Sequence, residues 1–440
     1  MSGLARVREK AKQDKQQPFT ALMHHLTLEL LEQSFHELKR KAATGIDGVC
    51  WSDYHENLQD RLTDLVARIQ AGQYKPKPAR QVSIPKGNGE NRILSIQCIE
   101  DKLLQQAVVT LLNQIYEPEL LGFSYGFRPG RSQHDALDAL SYGISKKKVN
   151  WVLDLDIRRF FDTVEHDWLI RMVQHRVQDK RLIKLITRWI KVGAVDENGK
   201  RNPAHRGLPQ GAVISPLLSN IYLHYVFDLW SHQWRQARAT GEVLIVRYAD
   251  DAVLCFQHKW EANEYLVKLK ARLERFGLAV HPEKTKLIRF GRFAAVDSAQ
   301  RGEGKPKTFD FLGFTHYCTK RRDGGFKIGR KTIRKRLTKQ IKAVQRALRQ
   351  RMHEPKWKTL KWLKAVLIGH MNYYGVPGNS KRVSLFRDEL VKRWFKMLRR
   401  RSQRHTLTWE KFGPWIRREL PKVRVVHAYP EMRFCARYSK

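Results

Sequence analysis

Acidic residues are scarce in this chain: 43 Asp and Glu stand against 84 Lys and Arg in 440 residues, a formal net charge of +41. That excess is too one-sided for an ordinary solvated surface, and a polyanion is its natural partner. Long apolar runs are missing too. No stretch reaches the ~18 consecutive apolar residues that a membrane-spanning helix needs, which leaves nucleic acid ahead of a membrane. Met1 to Gln17 is polar and basic, which excludes a secretory signal and leaves an Arg-rich organellar presequence as a minor alternative. Cysteine is sparse: Cys50, Cys98, Cys255, Cys318 and Cys435 are scattered, odd in number and never in a C-x-x-C pair. A disulfide framework and a zinc site are thereby disfavoured, and a reducing interior, cytoplasmic or organellar, is expected. The 17 histidines form no H-E-x-x-H. Carboxylates remain as the candidate metal ligands.

What is present is a hydrophobic content of 42%, enough for a large core and more than one domain. The charge is unevenly spread. From Arg321 to Lys440, 35 Lys and Arg face 7 Asp and Glu, so 28 of the 41 net charges lie in the last 120 residues. Ala294 to Thr308 reads as a polar loop just before this shift. A second boundary is expected near Gly72 to Pro78, where two prolines disfavour a helix. The resulting division is 1–75, 76–316 and 317–440. In the basic tail, Ile333, Leu337, Ile341, Val344 and Leu348 recur at helical spacing, opposite Arg334, Lys335, Lys339, Lys342, Arg346 and Arg349. A soluble bundle helix explains the stripe but not the near absence of acids, so this face is read as a nucleic-acid contact.

The middle of the chain alternates strand and helix signals. Trp151 to Ile157 reads as a strand, Val164 to Gln178 and Lys180 to Val192 as helices, and Ser215 to Trp234 as a helix with Pro in its first turn. Val243 to Tyr248 and Ala252 to Gln257 are apolar runs flanking Ala249-Asp250-Asp251, a β-hairpin pattern. Two adjacent carboxylates repel, and a hard divalent cation such as Mg²⁺ removes that penalty. Phosphoryl transfer at a polymerase site uses two such ions, about 3.5–4 Å apart, with oxygen ligands from more than one element. Asp156, at the end of its strand, is the candidate third ligand. Asp154 competes from deeper in the same strand, and Asp162 is a candidate cap of the helix expected from Val164. Alone, the acidic pair would be an ordinary polar turn.

Tyr248-Ala249-Asp250-Asp251 resembles the signature of reverse transcriptases, in the form common among group II intron-encoded maturase–reverse transcriptases. Further blocks resemble that family in its order: Gly45 to Val49; Ile84 to Gly89 leading to Arg92; Phe123 to Ser132; Asp156 to Asp162; Gly207 to Gly211 with Ser215 to Leu217; His281 to Thr285; and Phe311 to Phe314. A weaker likeness continues around Gly369 to Gly375. The resemblance implies an α+β right-hand polymerase, with fingers and palm followed by an α-helical thumb/maturase domain. It implies Asp156, Asp250 and Asp251 as ligands of two Mg²⁺ ions, with Mn²⁺ as a substitute. Lys86 and Arg92 would reach the triphosphate, Phe161 would exclude a ribose 2′-hydroxyl, Gln210 would contact nucleotide or template, and Lys284 would sit near the site. Of Phe160 and Phe161, one must be core. The implied partners are an RNA template or intron RNA, a DNA target or primer, and dNTPs. The tail shows neither the Cys pairs of an H-N-H endonuclease nor an acid-rich RNase H pattern. An RNA-directed DNA polymerase that assists splicing is the expected activity. The alternatives are a splicing cofactor without polymerase activity, or a domesticated relative in defence or repair.

Overall fold

The computed structural model describes residues 3–85, 91–402 and 406–438 as a mixed α+β protein. Its centre is an antiparallel sheet of β3 (Trp151–Asp156), β6 (Val243–Tyr248), β7 (Asp251–Phe256) and β8 (Lys286–Arg289), in the order β6-β7-β3-β8. Both faces of this sheet are covered, which is why its strands read as almost unbroken apolar runs. Leu153, Leu155, Ile245, Leu254 and Phe256 enter one core, and Val152, Val246, Val253, Cys255 and Ile288 enter the other. The alternation follows the two-residue period of a strand. The expected hairpin forms, with Asp251 already the first residue of β7.

The first core joins the sheet to the helices Ile99–Tyr116, Lys180–Lys191 and Lys259–Arg275 and to the helical run 215–237. It also takes in Val7, Ala11, Leu31, Phe35 and Leu62 from the first 75 residues. An outlying hairpin of β1 (Ala79–Pro85) and β2 (Asn91–Ile96) extends through two short strands, β4 (Ala194–Val195) and β5 (Arg201–Asn202). Lys86 lies outside the described residues.

The second core lies between the helix Gln133–Lys146, the opposite sheet face and the basic helices Arg334–Gln350, Lys356–Tyr374 and Ser380–Arg399. A three-stranded sheet of β9 (Phe309–Phe311), β10 (Phe314–Lys320) and β11 (Phe326–Thr332) links them. Leu337, Ile341, Val344 and Leu348 are buried, each aliphatic side chain contributing about 1.5–3 kcal/mol. The six cationic positions of the opposite face are exposed, as their spacing requires. Two expectations are corrected. Ala294 to Thr308 is not all loop: Ala294–Gln300 is a helix, held by an ion pair from Arg289 to Asp297 and closed by Gly302 at φ +68°. Asp162 is not a helix cap. It lies inside the short helix Phe160–Thr163, and the next helix begins at His166 with Glu165 before it. Among the described residues, no helix is long and apolar enough to cross a membrane.

Candidate active site

Strand register brings the carboxylates together. Asp156 ends β3 and pairs across the sheet with Asp251, which begins β7, while Asp250 occupies the turn just before it. The turn is tight because Ala249 adopts φ +57°. A non-glycine residue there costs roughly 1–2 kcal/mol, and such strain collects where a side chain must be aimed. Gly126 lies flush against the turn: a Cβ at that position would stand 2.3 Å from the Ala249 nitrogen. Asp156 is held through its backbone, its N–H donating to Thr285 Oγ1 at 3.3 Å and its carbonyl accepting from the His281 N–H at 2.8 Å.

The acids crowd one another. Burial, then the charges of Asp250 and Asp156, push Asp251 up to about 6, while Arg336 and Lys284 pull the other way. Asp251 keeps an accessible edge, but protein surrounds it on most sides. Asp250 is also raised, chiefly by burial, with Arg92 opposing. Asp154 is pushed up to about 7 by burial, then by Asp251 and Asp310. Its deeper position, paired with Val253 on β7 and Lys286 on β8, sets it back from the strand end where Asp156 and Asp251 meet.

Of the other expected residues, Lys284 stands directly at this edge. Lys284 Nζ lies 3.0 Å from Asp156 Oδ2. Phe160 is the core aromatic of its pair, and Phe161 is only half-buried, stacked edge-on against it at 5.5 Å. The Leu208 N–H donates to the Phe161 carbonyl at 2.6 Å, and Gln210 Nε2 donates to Asp162 Oδ1 at 3.1 Å. Gln210 is tied in turn to β2, its carbonyl accepting from the Ser95 N–H at 2.7 Å. Gly211, at φ +113°, makes that approach possible, since a Cβ would stand 2.9 Å from the Ser95 carbonyl oxygen. Arg92, on the same strand, is near enough to act on Asp250. Three residues escaped the sequence reading: Asp310, whose charge raises Asp154; Arg336, whose charge opposes the rise of Asp251; and the buried Arg247. Arg336 had no local signal among so many cations. Arg247, a charge inside an apolar run, did carry one.

Among the described residues, no three His, Cys, Asp or Glu side chains are drawn closely enough together to hold a metal ion. The donor chemistry of the strand edge nevertheless fits a hard divalent cation. It offers carboxylate oxygens alone, crowded until their ionisation is resisted, and positive charge relieves that resistance.

The model of the family "Reverse transcriptase (RNA-dependent DNA polymerase)" matches residues 84–316, more than half of the chain. The chain therefore belongs to the reverse transcriptase family, whose members in general use divalent metal ions. Within it, the similar proteins include group II intron-encoded and intron maturase members. "Protein YkfC" of Escherichia coli (strain K12) is 36% identical over 238 residues, covering 48% of this chain and 62% of that protein. "Group II intron-encoded protein LtrA" of Lactococcus lactis subsp. cremoris is 30% identical, over 51% of this chain and 37% of that protein. "Nuclear intron maturase 4, mitochondrial" of Arabidopsis thaliana is 25% identical, over 37% and 20%. The chain thus spans less than two thirds of the length of these relatives.

Proposed function

We propose that this chain is an RNA-directed DNA polymerase of the group II intron type, copying RNA into DNA from a primer or nicked DNA target and assisting the splicing of its intron RNA. The observation that carries the reading is the register of Asp156 against Asp251 with Asp250 in the adjoining turn, inside the segment that matches the family model. In this reading the hairpin β1–β2 and the helices before it are fingers, the central sheet is the palm, and 317–440 is a thumb/maturase region. Asp156, Asp250 and Asp251 would hold two Mg²⁺ ions, with Mn²⁺ able to replace them. When bound, the ions neutralise the triphosphate and ease deprotonation of the primer 3′-hydroxyl.

The chain's own residues set out the rest. Arg92 opposes charge at the nucleotide from the hairpin, Lys86 is assigned the same role from the sequence, and Gln210 is positioned by Asp162 and Ser95 beside Phe161. Phe161 forms the wall that a ribose 2′-hydroxyl would meet. Lys284, paired with Asp156, is placed to meet a nucleotide phosphate at the same edge. The exposed cations of the helix Arg334–Gln350 give nucleic acid a long electrostatic surface.

A splicing cofactor without polymerase activity is the second reading, favoured by the basic helices taken alone. Primer extension on an RNA template with purified protein separates the two. Wild-type protein is expected to incorporate dNTPs with Mg²⁺ or Mn²⁺, and Asp250→Asn to lose at least about 10³-fold in rate with RNA affinity nearly intact. No incorporation by the wild type under either metal would sink the polymerase reading.

A further inference from the structure

The strained turn that carries Asp250 is not held by the sheet alone. Arg247, on β6, is 1% exposed, and its guanidinium spends every nitrogen within the protein. Nε and Nη2 donate to the two carboxylate oxygens of Asp228, at 2.7 and 2.5 Å. Nη2 also donates to Ser124 Oγ at 2.7 Å, and Nη1 to Asn220 Oδ1 at 3.1 Å. The remaining bond runs from Nη1 to the Ala249 carbonyl at 2.9 Å. That carbonyl belongs to the peptide joining Ala249 to Asp250.

The preceding peptide, between Tyr248 and Ala249, is the one against which Gly126 lies. Asn220 joins the two supports, because its Nδ2 donates to the Gly126 carbonyl at 2.7 Å while its Oδ1 accepts from Arg247. Both peptides flanking the left-handed Ala249 are thus fixed from one side by one connected group. The segment around Gly126 is itself stitched to β6, with the Arg247 N–H donating to Phe123 and the Tyr125 N–H to Arg247.

Helix geometry makes this convergence possible. Asn220 and Asp228 lie eight residues apart on one helical run, and eight residues of regular α-helix leave them about 80° apart around the axis. The π-helical turn His224–Asp228 takes up one extra residue, so the offset falls to about 20° and both side chains reach Arg247. A fully buried ion pair is poor value as a source of stability, since desolvation offsets most of its attraction. Geometric specification is the better account of a pair 1% and 0% exposed behind a catalytic turn.

We propose that Arg247, with Asp228 and Asn220, is a positioning group that holds the Ala249–Asp250 turn in its left-handed form and so sets the placement of Asp250 and Asp251 against Asp156. The inference rests on the polymerase reading of the same site. Arg247 touches neither substrate nor metal in this role; it acts through the backbone that carries the carboxylates.

The test uses the full chain and the variant Arg247→Lys, which keeps the buried charge but cannot serve the fork of acceptors. Single-nucleotide incorporation and substrate-free Mn²⁺ binding, followed by electron paramagnetic resonance, are measured on protein shown to be folded by its melting curve. The expected result is a fall of about 10²-fold in kcat with the dNTP KM changed less than about threefold, and a weaker Mn²⁺ affinity by about tenfold. Adding Ala249→Gly to Arg247→Lys should restore part of both, because glycine adopts φ +57° without support. A purely structural role would show no such rescue. Should Arg247→Lys not fold, Asn220→Ala carries the same readouts without stranding a charge, with about a tenfold loss in kcat expected. Wild-type kcat and Mn²⁺ affinity in the folded variant would overturn the proposal, as would a loss that Ala249→Gly fails to relieve. If the wild type incorporates no dNTP, the polymerase reading fails by itself, and the Mn²⁺ titrations still decide whether the turn is braced.

Discussion

Replacing Gly126 by alanine is the sharpest perturbation of the carboxylate turn that leaves every charge in place. The new Cβ would stand 2.3 Å from the Ala249 nitrogen and 2.9 Å from the Tyr248 carbonyl carbon, where ordinary contact begins near 3.4 Å. The deficit is about 1 Å, and both obstructing atoms are backbone, so no side chain can swing away to absorb it. Retreat of Gly126 itself is resisted by the Asn220 bond to its carbonyl and by the neighbouring Tyr125 N–H bond to Arg247. Much of the displacement therefore falls on the turn that aims Asp250. A misplacement of about 1 Å costs roughly 10²-fold in rate, and overpacking of this kind costs about 1–3 kcal/mol of stability. The assay is single-turnover dNTP incorporation on a primed RNA template, with melting temperature and RNA affinity measured on the same preparations. Gly122→Ala is the control, since nothing lies within 4 Å of a Cβ there; its stability should stay within about 0.5 kcal/mol of wild type and its rate unchanged. Full activity in Gly126→Ala would refute the reasoning. So would a loss of RNA affinity in proportion to rate, because the defect would then be global.

Phe161→Ala opens the space beside Gln210 and should raise the kcat/KM of a ribonucleotide relative to its deoxynucleotide by about tenfold or more. An unchanged ratio removes Phe161 from sugar selection. RNA binding should weaken steeply with salt: neutralising about ten phosphates gives a log–log slope of roughly −9, or about a 10⁵-fold loss between 50 and 200 mM. Filter binding across that range checks it, and a slope shallower than about −3 would mean that stacking and base contacts carry the affinity instead.

The parts of the fold that were legible share a physical cause. β3, β6 and β7 are buried on both faces, so their composition alone marks them, and the acids at their ends mark where they leave the core. The stripe from Leu337 to Leu348 was legible because a helix repeats its burial every three or four residues. Elements fixed by distant partners were not. The helix Ala294–Gln300 has the composition of a loop and is tied through Asp297 to Arg289 on β8, a different element. Asp162 had the look of a cap because only local sequence was in view, whereas its partner Gln210 lies 48 residues away.

The same limit applies most strongly to charge. In a chain with 84 Lys and Arg, a basic residue carries almost no information by its identity. Arg336 becomes distinct only through Asp251, whereas Lys284, singled out by its sequence block, finds its partner in Asp156, and Arg247, a charge inside an apolar run, finds one in Asp228, 19 residues before it. What the three share is an acid at or behind the strand edge where Asp156 meets Asp251. The scarcity of acids, which first pointed outward to a polyanion, therefore also points inward. Where Asp156 meets Asp251, and where Asp228 meets Arg247, carboxylates mark both the candidate catalytic edge and the arginine proposed to support it.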